Sequence, residues 1–215
     1  MDVLVSILSI ALPVVSTIVV AWFGYNQKNH EKKLDAKLKS EAEAIEKKRK
    51  EEILSIDREN SRRRRHSAIV YGELGELRSD FDADRVYIAQ PHPMGDIEKI
   101  SIYYEVKRKG IESMRNHIQQ LALADIPLFA KELAEKDYIH IHNIDEVRDD
   151  VAHTMMHVAG TKQLFIARLL DVKDDWCGSL FVEYTRKHKV DERKVKHAME
   201  ELVKSIHLIL PEYKE

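Results

Sequence analysis

The stretch LFIARLLDVKDDWCGSLFVEYTRKHKVDERKVKHAMEELVKSIHLIL (164–210) carries the clearest structural pattern in the 215-residue chain. Residues 162–172 and 178–185 are rich in branched and aromatic side chains and flank the polar turn KDDWC, which predicts a β-hairpin. Asp191 is a candidate cap for a final helix, because its side chain can accept hydrogen bonds from first-turn N–H groups. The apolar residues that follow recur at helical spacing: Val195, Met199, Leu202, Ile206 and Ile209.

The part of the chain before this hairpin alternates between helical and extended patterns. A helix is predicted over residues 67–81, and strands are predicted over 84–90, 100–106 and 138–141. Proline and glycine in PHPMGD (91–96) predict a loop between the first two strands. The expected fold class is therefore α+β, an antiparallel sheet with packed helices, in which the first and last helices lie together.

Two shorter helices are expected between these strands. Asp125 precedes Ile126 and Pro127 and is a candidate N-cap for a helix that ends near Lys136. A second helix ends at Gly160. Its expected apolar face consists of Val147, Val151, Met155 and Val158, and that of the helix over 67–81 consists of Ile69, Leu74, Leu77 and Phe81.

The order of these elements over residues 67–210 resembles that of GAF domains, and the related PAS fold fits nearly as well. The hairpin and the acid-capped final helix carry most of the resemblance, together with LADIPLFAKELAEKDYIHIHNID (123–145). The family's cyclic-nucleotide motif and its chromophore-linking cysteine environment are absent, since Cys177 falls in the predicted KDDWC turn. The resemblance implies a ligand-sensing or protein-interaction module without naming its ligand.

The layout of the whole chain also resembles that of the lysis-timing holins of T-even-type phages. Those proteins combine one N-terminal transmembrane helix, a charged helical stretch and a small α/β domain. This chain lacks their basic segment before the span and their cysteine pair, because it has a single cysteine. A holin that forms oligomers in the inner membrane is therefore the alternative function.

The N-terminal segment is strongly apolar. Val3–Tyr25 is a run of 23 residues without a charged side chain. As a helix it would be roughly 34 Å long, which is enough to cross a hydrocarbon core of ~30 Å. Trp22 and Tyr25 lie at its end, where aromatic rings favour the lipid headgroup layer. We expect a retained membrane anchor over residues 1–26.

The direction of this anchor follows from the distribution of basic residues. No Lys or Arg precedes the span, whereas Lys28, Lys32 and Lys33 follow it closely and are expected to contact headgroups. The positive-inside rule then places the C-terminal domain in the cytoplasm.

Residues 27–66 form a charged segment that predicts a long, exposed helical stalk. Residues 26–66 contain fourteen Lys or Arg against nine Asp or Glu and no Gly or Pro. A broken apolar stripe leaves two alternatives open, weak self-association as a coiled coil or a solvated single helix. We do not expect nucleic-acid binding at Arg62–Arg65, because no aromatic or base-reading side chain accompanies these arginines. The stripe consists of Leu34, Leu38, Ala42, Ile45, Ile53 and Ile56.

Four histidines could hold a zinc ion. His140 and His142 are two apart on a predicted strand and share one face, and His153 and His157 are four apart on a predicted helix. Four imidazoles from adjacent elements would suffice for zinc. Against this, no cysteine joins them and no metalloprotease motif is present, so the alternative is that they are solvated or cap helices.

The rest of the sequence offers few candidate residues for catalysis or ligand binding. Tyr87, Tyr103, Phe165 and Tyr184 could line a ligand pocket on the sheet, although strand aromatics more often serve packing. The chain has no glycine-rich phosphate loop and no nucleophile motif. We expect neither catalysis nor a bound cofactor. The expected protein is a membrane-anchored GAF-like sensor or scaffold over 67–215, with a purely structural tether as a further alternative.

Overall fold

The computed structural model describes the backbone of residues 2–210 and the side chains of residues 22, 37–41 and 43–210. The chain divides into two units, Met1–Asn60 and Ser61–Glu215. Helix α1 (Asp2–Asp80) contributes residues to both units. The described side chains of the first unit are all exposed, as expected for a helix rich in paired Lys and Glu.

No helix in the described part of the chain combines the length and the apolar character that a bilayer span requires. The predicted anchor Val3–Tyr25 lies outside the residues with described side chains, apart from Trp22, which is exposed. The headgroup contacts predicted for Tyr25, Lys28, Lys32 and Lys33 lie outside them as well. The anchor therefore stays a prediction.

The second unit contains a six-stranded sheet in which all neighbouring strands are antiparallel. This arrangement confirms the predicted α+β class. The spatial order is β3-β2-β1-β6-β5-β4. The strands are β1 (Arg85–Met94), β2 (Ile97–Lys107), β3 (Leu121–Ala122), β4 (Tyr138–Ile141), β5 (Gln163–Leu170) and β6 (Trp176–Tyr184).

Three further α-helices complete the unit: α2 (Pro127–Glu135), α3 (Asp150–Val158) and α4 (Glu192–Ile206). Asp191 caps α4 as predicted, since its carboxylate accepts from the N–H groups of Arg193 and Lys194. Short 3-10 turns cover Met114–Asn116, Leu123–Asp125 and Ile144–Glu146.

The segment PHPMGD is not the predicted loop. Its first four residues belong to β1, and a two-residue turn at Gly95 and Asp96 leads directly into β2. Gly95 has a positive φ of 64°, which suits such a turn. Pro91 and Pro93 are tolerated because β1 pairs with β6 only as far as Ala89, so their missing N–H groups face no strand on that side.

The two faces of the sheet are covered by different helices, because side chains alternate along each strand. Helices α1 and α4 pack on one face, where Val70, Leu74, Val195 and Met199 are fully buried. Their association confirms that the first and last helices of the domain lie together. Helices α2 and α3 cover the other face, through Phe129, Leu133, Ala152 and Met156.

Three predicted helix details are wrong. In α3 the buried residues are Ala152 and Met156, whereas Val151 and Val158 are exposed, because the helix packs the face with Ala152 and Met156, one turn apart, into the core cluster of the sheet. In α1, Val70 is buried and Ile69 is exposed. Asp125 does not cap α2, because it belongs to a preceding 3-10 turn and Ile126 occupies the cap position without a side-chain hydrogen bond.

An ion pair with no solvent exposure joins the two central strands of the sheet, at the start of β1 and near the end of β6. Arg85 on β1 and Glu183 on β6 are directly opposite each other, and their side chains bond to one another. The guanidinium also donates to the carbonyl oxygens of Glu112 and Ala159, each at 3.0 Å, and the Thr161 hydroxyl donates to Glu183. The pair therefore fastens two loops to the sheet.

Burial dominates the electrostatics of this pair. It raises the pKa of Glu183, while the Arg85 charge acts in the opposite direction. Burial and then the Glu183 charge raise the pKa of the neighbouring Tyr87 well above its ordinary value. A buried charge of this kind is tolerated only while its partner is present.

Removal of one partner should destabilise the domain strongly. We expect Glu183→Gln to lower the free energy of unfolding by about 3–5 kcal/mol, because Arg85 is then left buried without a counter-charge. Replacement of both, Arg85→Met with Glu183→Leu, should cost less than the sum of the two single changes. Urea unfolding measures this, followed by tryptophan fluorescence in a Trp22→Phe background so that Trp176 reports on the domain.

The matched control is the exposed helical ion pair of Lys136 with Glu132. Lys136→Met should leave the unfolding midpoint nearly unchanged. A Glu183→Gln variant as stable as this control would contradict the assigned importance of the buried pair.

Gly178 on β6 should not tolerate a larger side chain. An added Cβ would lie 2.9 Å from the Ala89 carbonyl oxygen and 3.0 Å from Gln90 Cγ. We expect Gly178→Ala to destabilise the domain by about 1–3 kcal/mol, since β1 and β6 must separate to accept it. Gly72→Ala has open space on α1 and should instead stabilise by roughly 0.5–1 kcal/mol. Paired thermal melts distinguish the two.

Candidate functional site

A surface cavity of about 260 Å³ lies between α2 and the segment that joins β4 to α3, and we call it the α2 cleft. It lies on the sheet face opposite α1 and α4, because Phe129 and Ile141 belong to the other core cluster. Its lining residues are Leu128, Phe129, Lys131, Glu132, Glu135, Lys136, Ile141, Glu146, Val147, Arg148 and Asp149.

Asp149 holds the two walls of the α2 cleft together. Its side chain is buried, with one oxygen 3.3 Å from the Leu128 N–H and the other 3.4 Å from the Ala152 N–H. One carboxylate therefore accepts hydrogen bonds from the first turns of both α2 and α3. The helix N-termini favour this negative charge, so Asp149 fixes the width of the cleft.

The cleft combines an apolar floor with a charged rim. Phe129 and Ile141 are buried, and Leu128 is exposed at the edge. Lys131 of α2 and Lys136, which directly follows the helix, are each paired with a glutamate one turn away. Among the side chains that the structure describes, Arg148 has no ion-pair partner. This rim can therefore offer a guanidinium to a ligand.

The four aromatic residues predicted to line a ligand pocket do not lie on the same face of the sheet. Tyr87 lies on the α2–α3 face, where its ring stacks on Phe181 at 4.6 Å. Phe165 and Tyr184 lie on the α1–α4 face and contact each other edge to face at 6.2 Å. Tyr103 packs against that same cluster. The sheet therefore separates Tyr87 from the other three.

The four candidate zinc ligands form two separate pairs. His140 and His142 lie close together, with ring centroids 3.6 Å apart, and Glu192 joins them. His153 and His157 lie on α3, with ring centroids 6.0 Å apart, and Asp145 is 3.5 Å from His153. The pairs are separated because Ile139 and Ile141 face α3, so alternation turns His140 toward α4.

The end of α1 is fastened to the sheet by a junction that the sequence did not reveal. The Tyr184 hydroxyl donates to the Phe81 carbonyl oxygen at 2.8 Å. Asp82 forms ion pairs with Arg108 and Arg186 at the ends of β2 and β6. The hydrogen bond from Arg186, followed by the charge of Arg108, lowers the pKa of Asp82.

The buried Asp84 extends this junction. Its carboxylate accepts from the N–H and the hydroxyl of Thr185, at 2.9 and 3.0 Å. The α1 end, the start of β1 and the end of β6 are therefore one hydrogen-bonded unit. Closely spaced acids at 82 and 84, before the basic residue of a strand, are the only local signal for it in the sequence.

No protein-family model matches this sequence, and no curated protein matches it either. The fold, in contrast, has clear neighbours among solved structures. The phycoerythrobilin-bound GAF domain from a cyanobacterial phytochrome is 20% identical, with a TM-score of 0.52, over 71% of this chain and 90% of its own.

Two further GAF domains show the same similarity. The blue-light absorbing PixJ GAF domain of Thermosynechococcus elongatus is 13% identical, with a TM-score of 0.53, over 69% of this chain and 89% of its own. The GAF domain/HD domain protein of Geobacter sulfurreducens is 11% identical, with a TM-score of 0.54, over 67% of this chain and 90% of its own.

Identities this low establish the fold alone. The resemblance to phage holins finds no support in these comparisons. The predicted GAF resemblance is confirmed at the level of architecture: the domain that follows the long helix has a GAF-like fold.

Proposed function

We propose that this protein is a non-enzymatic sensor that binds a small ligand or a partner side chain in the α2 cleft and passes the bound state to α1 and α4. Two of the neighbouring structures support a binding role, since a cyanobacterial phytochrome GAF domain holds phycoerythrobilin and the PixJ domain absorbs light. The geometry of the sheet supplies the route for the signal.

The main support for this proposal is that the edge strand β4 presents neighbouring side chains to the two opposite faces of the sheet. Ile141 on β4 lines the α2 cleft, while the adjacent His140 contacts Glu192 at the start of α4. Because successive side chains of a strand point to opposite faces, a shift of β4 at the cleft also moves the contact with α4. The two faces are mechanically linked over a single residue step.

The output passes through the helices that cover the opposite face. Val195 and Met199 of α4 pack in the same cluster as Val70 and Leu74 of α1. The junction at Phe81, Asp82 and Tyr184 fastens the end of α1 to the sheet. A rearrangement of the sheet therefore reaches α1 through both packing and hydrogen bonds.

The size of the cleft limits the ligand. Its volume of about 260 Å³ lies below the ~300–1,000 Å³ typical of drug-sized ligands. An apolar floor and Arg148 on the rim suit a small molecule with an apolar body and an acidic group. The exposed Leu128 offers the first apolar contact.

A thermal-shift screen of the full chain against small carboxylic acids tests the proposed site. We expect compounds that raise the melting temperature to lose this effect in Leu128→Trp, because the larger side chain fills the cleft. Val172→Trp alters another exposed apolar residue, in the β5–β6 turn outside the cleft, and should retain the effect. Stabilisation that persists in Leu128→Trp would place the binding site elsewhere.

We also propose that residues 1–26 anchor the protein in a membrane with the C-terminal domain in the cytoplasm. The uncharged run Val3–Tyr25 and the lysines after it support this proposal. The exposed Leu38, Ile45 and Ile53 of α1 are available for self-association of the stalk.

Fractionation tests the anchor. The full chain should sediment with membranes and resist extraction with alkaline carbonate, whereas a variant without residues 1–25 should remain in the supernatant. A cytoplasmic reporter fused after Glu215 should be active and a periplasmic reporter inactive. A full chain found in the supernatant would exclude the anchor, and an active periplasmic reporter would reverse its direction.

A further inference from the structure

We propose that His140, His142 and Glu192 form a binding site for one divalent transition-metal ion of the zinc class. One ligand atom from each residue lies within 4.8 Å of the other two. Metal bonds of about 2.0–2.2 Å separate two donors of one ion by roughly 3–4 Å, so small side-chain rotations bring the three donors into range. The site depends on these side chains alone and not on the sensor role.

The fold brings these residues together from two elements. His140 lies on the edge strand β4, where it pairs with Phe165 of β5, and His142 follows directly after the strand. A spacing of two places both rings on the same side of the strand. Glu192 is the first residue of α4 and follows the Asp191 cap, so capping also sets the position of the carboxylate.

The His140 ring is held in place on three sides. It stacks on Phe165, with centroids 4.1 Å apart and planes at 22°, and its side chain is 8% exposed. Gln163 Nε2 lies 3.0 Å from His140 Nε2. On the other side, His140 Nδ1 lies 3.0 Å from Glu192 Oε1.

The contact between His140 and Glu192 is the feature that points to a cation. His140 Nδ1 is buried, and its contact with Glu192 Oε1 at 3.0 Å is poorly directed for a hydrogen bond. A metal ion between these two atoms would satisfy both of them. Rotation of the Gln163 amide presents its oxygen to His140 Nε2–H, which is the second interaction that metal-bound imidazoles commonly make.

The ligand set also decides the class of metal. Two imidazoles and one carboxylate favour zinc and its neighbours over magnesium or calcium, which prefer oxygen ligands alone. His142 and Glu192 are exposed, so an ion can enter directly from solvent. Three protein ligands leave a fourth position for water or for a small anion.

A bound ion would connect the edge of the sheet to the first turn of α4. Lys196, one turn later, lies over the Tyr138 ring at 5.3 Å and therefore stays outside the ligand set. Since α4 packs beside α1 on the same face, the ion would tie the start of α4 to β4. Metal occupancy would thereby stiffen this end of the domain.

Calorimetric titration of the metal-free full chain with ZnCl₂ tests this site, and CoCl₂ absorbance reports the coordination geometry. We expect one ion per chain. Glu192→Gln and His142→Ala each change an exposed side chain and should weaken binding by about tenfold or more. His153→Ala and His157→Ala, the matched pair on α3, should leave it within about twofold.

Circular dichroism must first show that all four variants keep the native spectrum. Stoichiometric binding that is lost in the double variant His142→Ala/Glu192→Gln and kept in the α3 variants supports the site. The proposal is overturned if the native chain binds no stoichiometric Zn²⁺. It is equally overturned if the double variant binds as tightly as the native chain, or if the α3 variants lose as much affinity.

Discussion

The buried ion pair between Arg85 and Glu183 is the constraint on which the rest of the domain depends. It fixes the register of β1 against β6, the two central strands of the sheet, for which a slip of one residue would turn every side chain to the wrong face. The same guanidinium donates to the carbonyl oxygen of Glu112 in the loop after β2 and to that of Ala159 in the loop after α3. Both core clusters are assembled on the strands that this pair aligns.

The residues beside the pair carry this constraint to α1. Asp84 precedes Arg85, and Tyr184 and Thr185 follow Glu183, so the hydrogen bonds of the junction are adjacent to the buried charges along both strands. The two helices that cover one face and the α2 cleft on the other thus share one sheet.

Much of the fold could be predicted from the sequence, because hairpin, cap and helical seam over 164–210 are local patterns. The strand assignment of Pro91 and Pro93 could not, since it depends on β1 having no partner strand on one side there. The site was harder to predict. In the sequence, Asp149 cannot be distinguished from an ordinary surface acid, because its two helix N–H partners become neighbours only in the folded domain. Glu192 contacts His140 only because α4 packs on the sheet.

That the last turns of α1, which end at Asp80, are held to the sheet through this junction is tested most directly by hydrogen–deuterium exchange. The full chain is compared with Tyr184→Phe, which removes only the hydroxyl that binds the Phe81 carbonyl oxygen. We expect faster exchange in residues 70–84 of the variant and unchanged exchange in α2. Identical exchange in both proteins, or a change spread evenly over the domain, would contradict it.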